Sequence, residues 1–442
     1  MSNRGNGTRK NVNNGNRRVG RRALLAAAGA GVATTSLAGC LGGEEGLTIG
    51  HLAPMDNPLG VGSERSAQLA VDEINDDGGF DGGEAELITR DTRTDPSEAQ
   101  DATEELVQQE NADVLVGTFN SETTQAIQDL TAEFDVPFLI TGSADPGLIT
   151  DTVGSDYEEY KNIFRVGPIN SDLQAESIAD YCAYLQDTHG WSDVAFLRDQ
   201  AAWTEPFGEL VPEYLPERGL EIVHEDALSI EIDDLAPVVS DVNDSGADFV
   251  LRFFAHINAS EMLGIWHSSE YEFGVEGIHV PGMHPAYHAL TEGAASYETT
   301  SQSGAAGVTA ITEKTQPFVE EYASTYEGED PPVRAPMYMG FNTYDAIYIY
   351  RDVVDSIETT STRDALDDFV DAMLEVEYTG VVGNISFYGR DSDYPHDAQE
   401  ERNDDGSISN YPMTQWTPEG EIECVYPEAH RTADHQQPSW MQ

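Results

Sequence analysis

"LTIGHLAPMDNPLGVGSERSAQLAVDEINDDGGFDGGEAELITRD", residues 47–91, decides the fold. "LTIGHLA" (47–53) reads as a strand, Ala67, Ala70, Val71 and Ile74 then recur at helical spacing, and "AELITRD" (85–91) is a strand again. Asp95-Pro96-Ser97-Glu98 opens the next helix with a cap residue, a proline at the first helical position and an acid at the third. "ADVLVG" (112–117), a helix over 121–134 and "VPFLIT" (136–141) continue the alternation, which predicts a parallel sheet. After "NIFRVG" (162–167) a second series starts: helix 172–187, strand 193–199, helix 205–218, strand 220–226, helix 233–244, strand 247–254, helix 259–269 and strand 277–282. Two α/β units follow from this. Later come an apolar strand near 305–311, helices near 314–326, 338–355 and 363–374, "GNISF" (383–387) and a strand-like pair within 411–427; residues 388–410 read as polar surface.

At 442 residues two lobes are the expected organisation. Lys and Arg number 22 against 81 Asp and Glu, a formal charge of -59, and seven of the basic residues precede Cys40. So negative a surface repels phosphate backbones, which excludes nucleic acid as a partner. It also opposes folding by self-repulsion, which a Debye length of roughly 3 Å at about 1 M salt relieves. A halophilic, molar-salt setting is the expectation, and the three lysines (Lys10, Lys161, Lys314) agree with it.

"RRALLAAAGAGVATTSLAGC" (21–40) stands apart as the basic and apolar passage. Its apolar run is shorter than the roughly 20 residues of a spanning helix, so residues 1–39 read as an export signal, with Arg21 and Arg22 suited to the twin-arginine route. Leu37-Ala38-Gly39-Cys40 resembles a lipobox, which makes Cys40 the lipidated residue and 40–46 a short leash. The expected location is the extracellular face of the cytoplasmic membrane, held by lipid. Cys182 falls in a helical pattern and Cys424 in a strand pattern far away, and whether they pair stays open. No Cys/His metal pattern is present, and no cofactor is implied.

In open parallel sheets ligands bind beyond the carboxyl ends of the strands. The loops there are "PMDNPLG" (54–60), "TFNSET" (118–123), "GSADPG" (142–147), "QAAWTEPFG" (200–208), "AHINAS" (255–260) and "MHPAYH" (283–288). They suit a small polar or carboxylate-bearing ligand.

In order along the chain, "LGVGSERSAQLAVDEINDDGGFDG", "DTRTDPSEAQDATEEL", "VLVGTFNSETTQA", "FLITGSADPGLIT", "IFRVGPINSDLQA" and "GVVGNISF" resemble the blocks of type I periplasmic solute-binding proteins, in the leucine/isoleucine/valine receptor group of ABC importers. The resemblance implies two Rossmann-like lobes joined by three crossovers, near Arg165, Gly282 and Gly380. Lobe one is then 47–166 plus 283–379 and lobe two 167–282 plus 380–442. Carried over residue by residue, it places Ser121 and the Gly142-Ser143-Ala144 turn on a ligand carboxylate, with Ala144 where a threonine is expected and Ser143 supplying the hydroxyl. It puts Trp203 over the ligand and Leu59 near its side chain. His284 stands where an acid pairs with an α-ammonium, and His256 where a tyrosine is expected. A buried ammonium without a carboxylate costs several kcal/mol, which shifts the expectation toward an amide or an organic acid.

Three functions are weighed. The first is a binding lipoprotein that captures a branched-chain amino acid-like solute, an amide or an organic acid and passes it to an ABC permease and its ATPase. An enzyme is disfavoured: GxSxG, GxxxxGK[ST] and HExxH are absent, and His279, His284 and His288 lack a following carboxylate shell. The third is a sensor signalling through a membrane partner.

Overall fold

The computed structural model describes residues 46–329, 334–404 and 406–442; Arg21, Arg22 and Cys40 lie outside them. Five parallel strands, β1 (Leu47–Ala53), β2 (Ala85–Asp91), β3 (Val114–Gly117), β4 (Phe138–Ile140) and β5 (Ile163–Arg165), form one sheet in the order β2-β1-β3-β4-β5. A second parallel sheet is ordered β7-β6-β8-β9, from β6 (Asp193–Asp199), β7 (Glu221–Leu228), β8 (Phe249–Phe254) and β9 (Gly274–His279). The fold is α/β with two doubly wound parallel sheets.

Burial follows position in the sheet. The interior strands β3, β4 and β8 are buried at every residue, as strands covered on both faces must be. The edge strands β2 and β7 carry half-exposed polar residues, which blunt an open edge. Helices cover both faces. On the first sheet, α1 (Pro58–Asp76) and the long helix Tyr338–Ile357 share one core with Ile49, Val116 and Leu139, while α2 (Pro96–Gln108) and α3 (Ser121–Glu133) bury Leu106 and Ile127 against Leu115 and Phe138 on the other. The helix Ser171–His189 packs on one face of the second sheet, and Ala236–Ser245 and Ser260–Ser269 on the other.

Helix starts are chemically explicit. Asn57 accepts from the Leu59 N–H at 2.9 Å with Pro58 following, and Asp95 accepts from Ser97 and Glu98 with Pro96 following, as its sequence signature required.

Three parts differ from expectation. No strand forms at 305–311: Ser303–Gly307 is a tight turn in which Gly304, Ala305 and Ala306 have φ of 71°, 47° and 53°, and successive left-handed residues cannot be extended. The late strand is β10 (Thr299–Ser301). After the hairpin strands β11 (Tyr378–Thr379) and β12 (Asn384–Ile385), it pairs antiparallel with β13 (Met413–Trp416), which pairs with β14 (Ile422–Tyr426). The crossovers also fall later than Gly282 and Gly380. Tyr287, Ala294 and Ala295 pack with Phe254 and Trp266 of the second lobe, and the Thr300 hydroxyl accepts the His279 N–H, so the chain stays there through β10. Val382, Ile385, Phe387 and Ala398 remain in the core of the first.

Residues 388–410 are more than polar surface. His396 stacks on Phe164 at 4.0 Å, and the fully buried Asp397 pairs with the fully buried Arg165 while accepting from Asn170 at 2.7 Å. Arg165 ends β5 and Asn170 caps the first helix of the second lobe, so Asp397 clamps the point where the chain leaves the first sheet. Cys182 and Cys424 are both buried and unpaired, and burial raises the Cys424 thiol to about 12.

Candidate functional site

The site begins at the end of β3. Gly117 has φ +140°, and a Cβ there would sit 2.1 Å from the Leu52 carbonyl oxygen, so this strand end is restricted to glycine. Thr118 then turns the chain into α3. Its hydroxyl bonds to that of Thr124, which bonds in turn to Ser143; Ser143 donates to the Phe119 and Asn120 carbonyls at 2.9 and 3.2 Å. This chain ties the loops after β3 and β4 together. Ser143 is therefore a positioning residue whose hydroxyl is consumed by the scaffold.

What the scaffold positions is a narrow cavity walled from both sheets. From the first sheet's side come Phe119, Asn120, Ser121, Gly142, Ala144 and Tyr338. From the second come Ile169, Gln174, Trp203, His256 and Ile278, with Val280 and Met283 below them. Gln302 and Ser303, between β10 and the left-handed turn, complete the wall.

Each wall residue is fixed by its element. Ser121 opens α3 and its hydroxyl accepts the Asp145 N–H at 3.3 Å. Gly142 leaves room where a Cβ would lie 2.5 Å from the Thr118 oxygen, and its own carbonyl accepts the Tyr338 hydroxyl at 2.6 Å. Trp203 sits in the 3₁₀ turn Ala202–Thr204 after β6, 7% exposed, edge-on to Phe207 at 5.6 Å. Its carbonyl accepts from Ser171 at 2.8 Å. His256 lies near the Phe119 ring at 5.9 Å, and Asp199 at the end of β6 accepts the Ala255 and His256 N–H groups at 2.7 and 2.9 Å. Burial raises the Asp199 carboxyl above its ordinary range. Two bonds join the sides among the described residues around the cavity: Glu122 of α3 accepts the Ala202 N–H at 3.0 Å, and the Ala144 carbonyl accepts the Ser171 N–H at 2.9 Å.

Of the residues singled out from sequence, Ser121, Gly142, Trp203 and His256 come together on this cavity. Ser143 stands behind it. Leu59 is fully buried in the apolar cluster that includes Phe119, Trp203 and Met283, but does not line the cavity. His284 is not in it either. It lines an outer recess with Arg93, Tyr287 and Leu290, its Nδ1 accepts the Ala286 N–H at 3.1 Å, and burial lowers its pKa. His279 and His288 are separately engaged, His279 with the buried Glu298, which also pairs with Arg252, and His288 with Ser296. Asn120 lies in the loop 118–123 read from sequence as a ligand loop, whereas Gln302, Ser303 and Tyr338 were not legible as site residues: they lie far along the chain, and packing of Tyr338–Ile357 on α1 brings Tyr338 in.

Among the described residues no helix is long and apolar enough to cross a membrane, and no group of His, Cys, Asp and Glu is placed to hold a metal ion.

Two parallel sheets with a shared cavity at their carboxyl ends match a known architecture, and the model of the periplasmic binding protein family matches residues 46–399. The chain belongs to that family. Leu/Ile/Val-binding protein homolog 7 of Brucella suis is 26% identical over 224 residues, 49% of this chain and 54% of that protein. A chemotactic signal transduction system substrate-binding protein of Halobacterium salinarum is 28% identical over 134 residues, 29% of this chain and 32% of its own. This periplasmic binding protein thus spans about half the length of the curated relatives it matches. Its backbone resembles the branched-chain amino acid transporter substrate-binding protein LivJ of Streptococcus pneumoniae, solved with isoleucine. The TM-score is 0.68 and identity 18%, covering 87% of this chain and all of that one.

Proposed function

We propose that this protein is the lipid-anchored, extracytoplasmic solute receptor of an ABC importer, which encloses one small solute between its lobes and delivers it to a permease. The observation that carries the reading is the cavity walled from both sheets, bridged by Glu122 and Ala202 and lined by residues with buried polar atoms that meet no protein partner: Asn120 Oδ1, Gln174 Oε1, Trp203 Nε1, Gln302 Oε1 and Ser303 Oγ. Buried polar groups are ordinarily paired, so a cluster of unpaired ones on a cavity marks where a ligand completes the bonding. In this reading Arg21 and Arg22 direct export by the twin-arginine route and Cys40 receives the lipid.

The test is a thermal-shift screen of the mature protein in molar salt against amino acids, short amides and small organic acids. A solute at 100 times its Kd adds about 2.7 kcal/mol. Trp203→Ala should abolish the response; a response undiminished in that variant counts against the cleft. Replacing Cys40 by Ser should release the protein from the membrane fraction, and retention there would refute the anchor.

A second reading is favoured by the Halobacterium relative, whose name places it in chemotactic signalling. The same receptor would then report occupancy to a membrane transducer, and copurification with a permease rather than a transducer separates the two.

A further inference from the structure

The bonding inventory of the cavity restricts the charge of its guest. No Asp, Glu, Lys or Arg lines it among the described residues. The carboxylates close in sequence to the wall are engaged elsewhere: Glu122 with the Ala202 N–H, Asp145 with the Gly147 N–H, Asp172 with the Tyr394 hydroxyl, Glu205 with Arg198, and Asp199 with the N–H groups of Ala255 and His256. An ammonium enclosed here would lose its water without gaining a counter-charge. Among the described residues His256 is the one basic side chain on the wall, with no Lys or Arg to meet a carboxylate, and the chain's 81 acidic against 22 basic residues make its field unfavourable to anions.

The unpaired atoms are of both kinds. On the donor side stand the Trp203 indole N–H, in a residue 93% buried by its 7% exposure, and the first turn of α3, where Asn120 makes no side-chain cap bond. On the acceptor side stand Asn120 Oδ1, Gln174 Oε1 and Gln302 Oε1. The orientation of Gln302 is set by its neighbours. The Thr414 hydroxyl donates to the Thr300 carbonyl at 3.0 Å, so it accepts from Gln302 Nε2 at 2.9 Å, leaving Oε1 an acceptor without a partner in a residue of the cavity wall. Phe119, Ile169, Ile278, Val280 and Met283 supply apolar surface between these polar points.

We infer that the cleft takes an uncharged solute with a carboxamide or ureido head on a compact apolar body, its carbonyl facing the Trp203 and α3 donors and its N–H groups facing the amide oxygens. This inference rests on the receptor reading above and narrows it. Three solutes that share one body decide it: leucine, 4-methylpentanoate and 4-methylpentanamide, titrated calorimetrically into the full mature protein in molar potassium chloride. The amide should bind at least tenfold more tightly than either charged relative. Tightest binding by leucine or by 4-methylpentanoate overturns the inference and leaves the receptor reading intact. Binding by none of the three, nor by benzamide, benzoate or phenylglycine, overturns both. In Gln302→Leu the amide's advantage over the acid should fall at least fivefold; an unchanged ratio also overturns the assignment.

Discussion

Single residues carry most of the specificity and some of the pH response. Asp345, fully buried in the helix Tyr338–Ile357, accepts the Val381 N–H at 2.8 and 2.9 Å and the Val382 N–H at 3.2 Å, yet loss of water raises its carboxyl to about 7. An acid with a folded pKa above its unfolded value of about 3.9 stabilises the fold most while protonated. That contribution is complete below about pH 4 and gone above about pH 7, an upper size of about 4 kcal/mol. Asp345→Asn should therefore gain on the wild type as pH rises from 5 to 8 in paired melting curves; parallel curves would contradict the burial argument. At this scale the sequence was informative where a residue sits directly after a strand, as Ser121, Gly142, Trp203 and His256 do. It was uninformative for Gln302 and Tyr338, whose approach to the cavity depends on how distant segments pack. His284 shows the converse: a residue in the right loop whose 3₁₀ turn, Pro281–Met283, carries it to the outer recess.

Between elements, the decisive connection is the buried Arg165–Asp397 pair with its third member Asn170. Removing one partner of a buried ion pair strands the other charge, at about 3–5 kcal/mol. Asp397→Ala should lower the unfolding free energy by that amount in urea titrations at molar salt, and a loss below about 1 kcal/mol would show the pair to be dispensable. The strands and helices of both sheets were readable because apolar runs, caps and turn residues agree with the tertiary environment. Two elements were not. The segment after β10 has strand-like composition but is turned by three left-handed residues, and Asp397 lies in a stretch whose polarity hides that one carboxylate is buried against an arginine 232 residues earlier. Composition registers neither a φ angle nor a partner so remote.

For the whole molecule, charge governs conditions. A net charge of -59 implies that lowering salt below roughly 0.5 M should depress the melting temperature as screening fails. A melting temperature unmoved by dilution would refute the halophilic account. Trp266, Trp416 and Trp440 each donate their indole N–H to a backbone carbonyl, whereas Trp203 keeps its own unmet on the cavity wall. The indole excited state is sensitive to the polarity and hydrogen bonding around its nitrogen, so solute capture should register as a change in intrinsic emission without any added dye. The protein carries its own optical gauge of occupancy, and Trp203→Phe would switch it off.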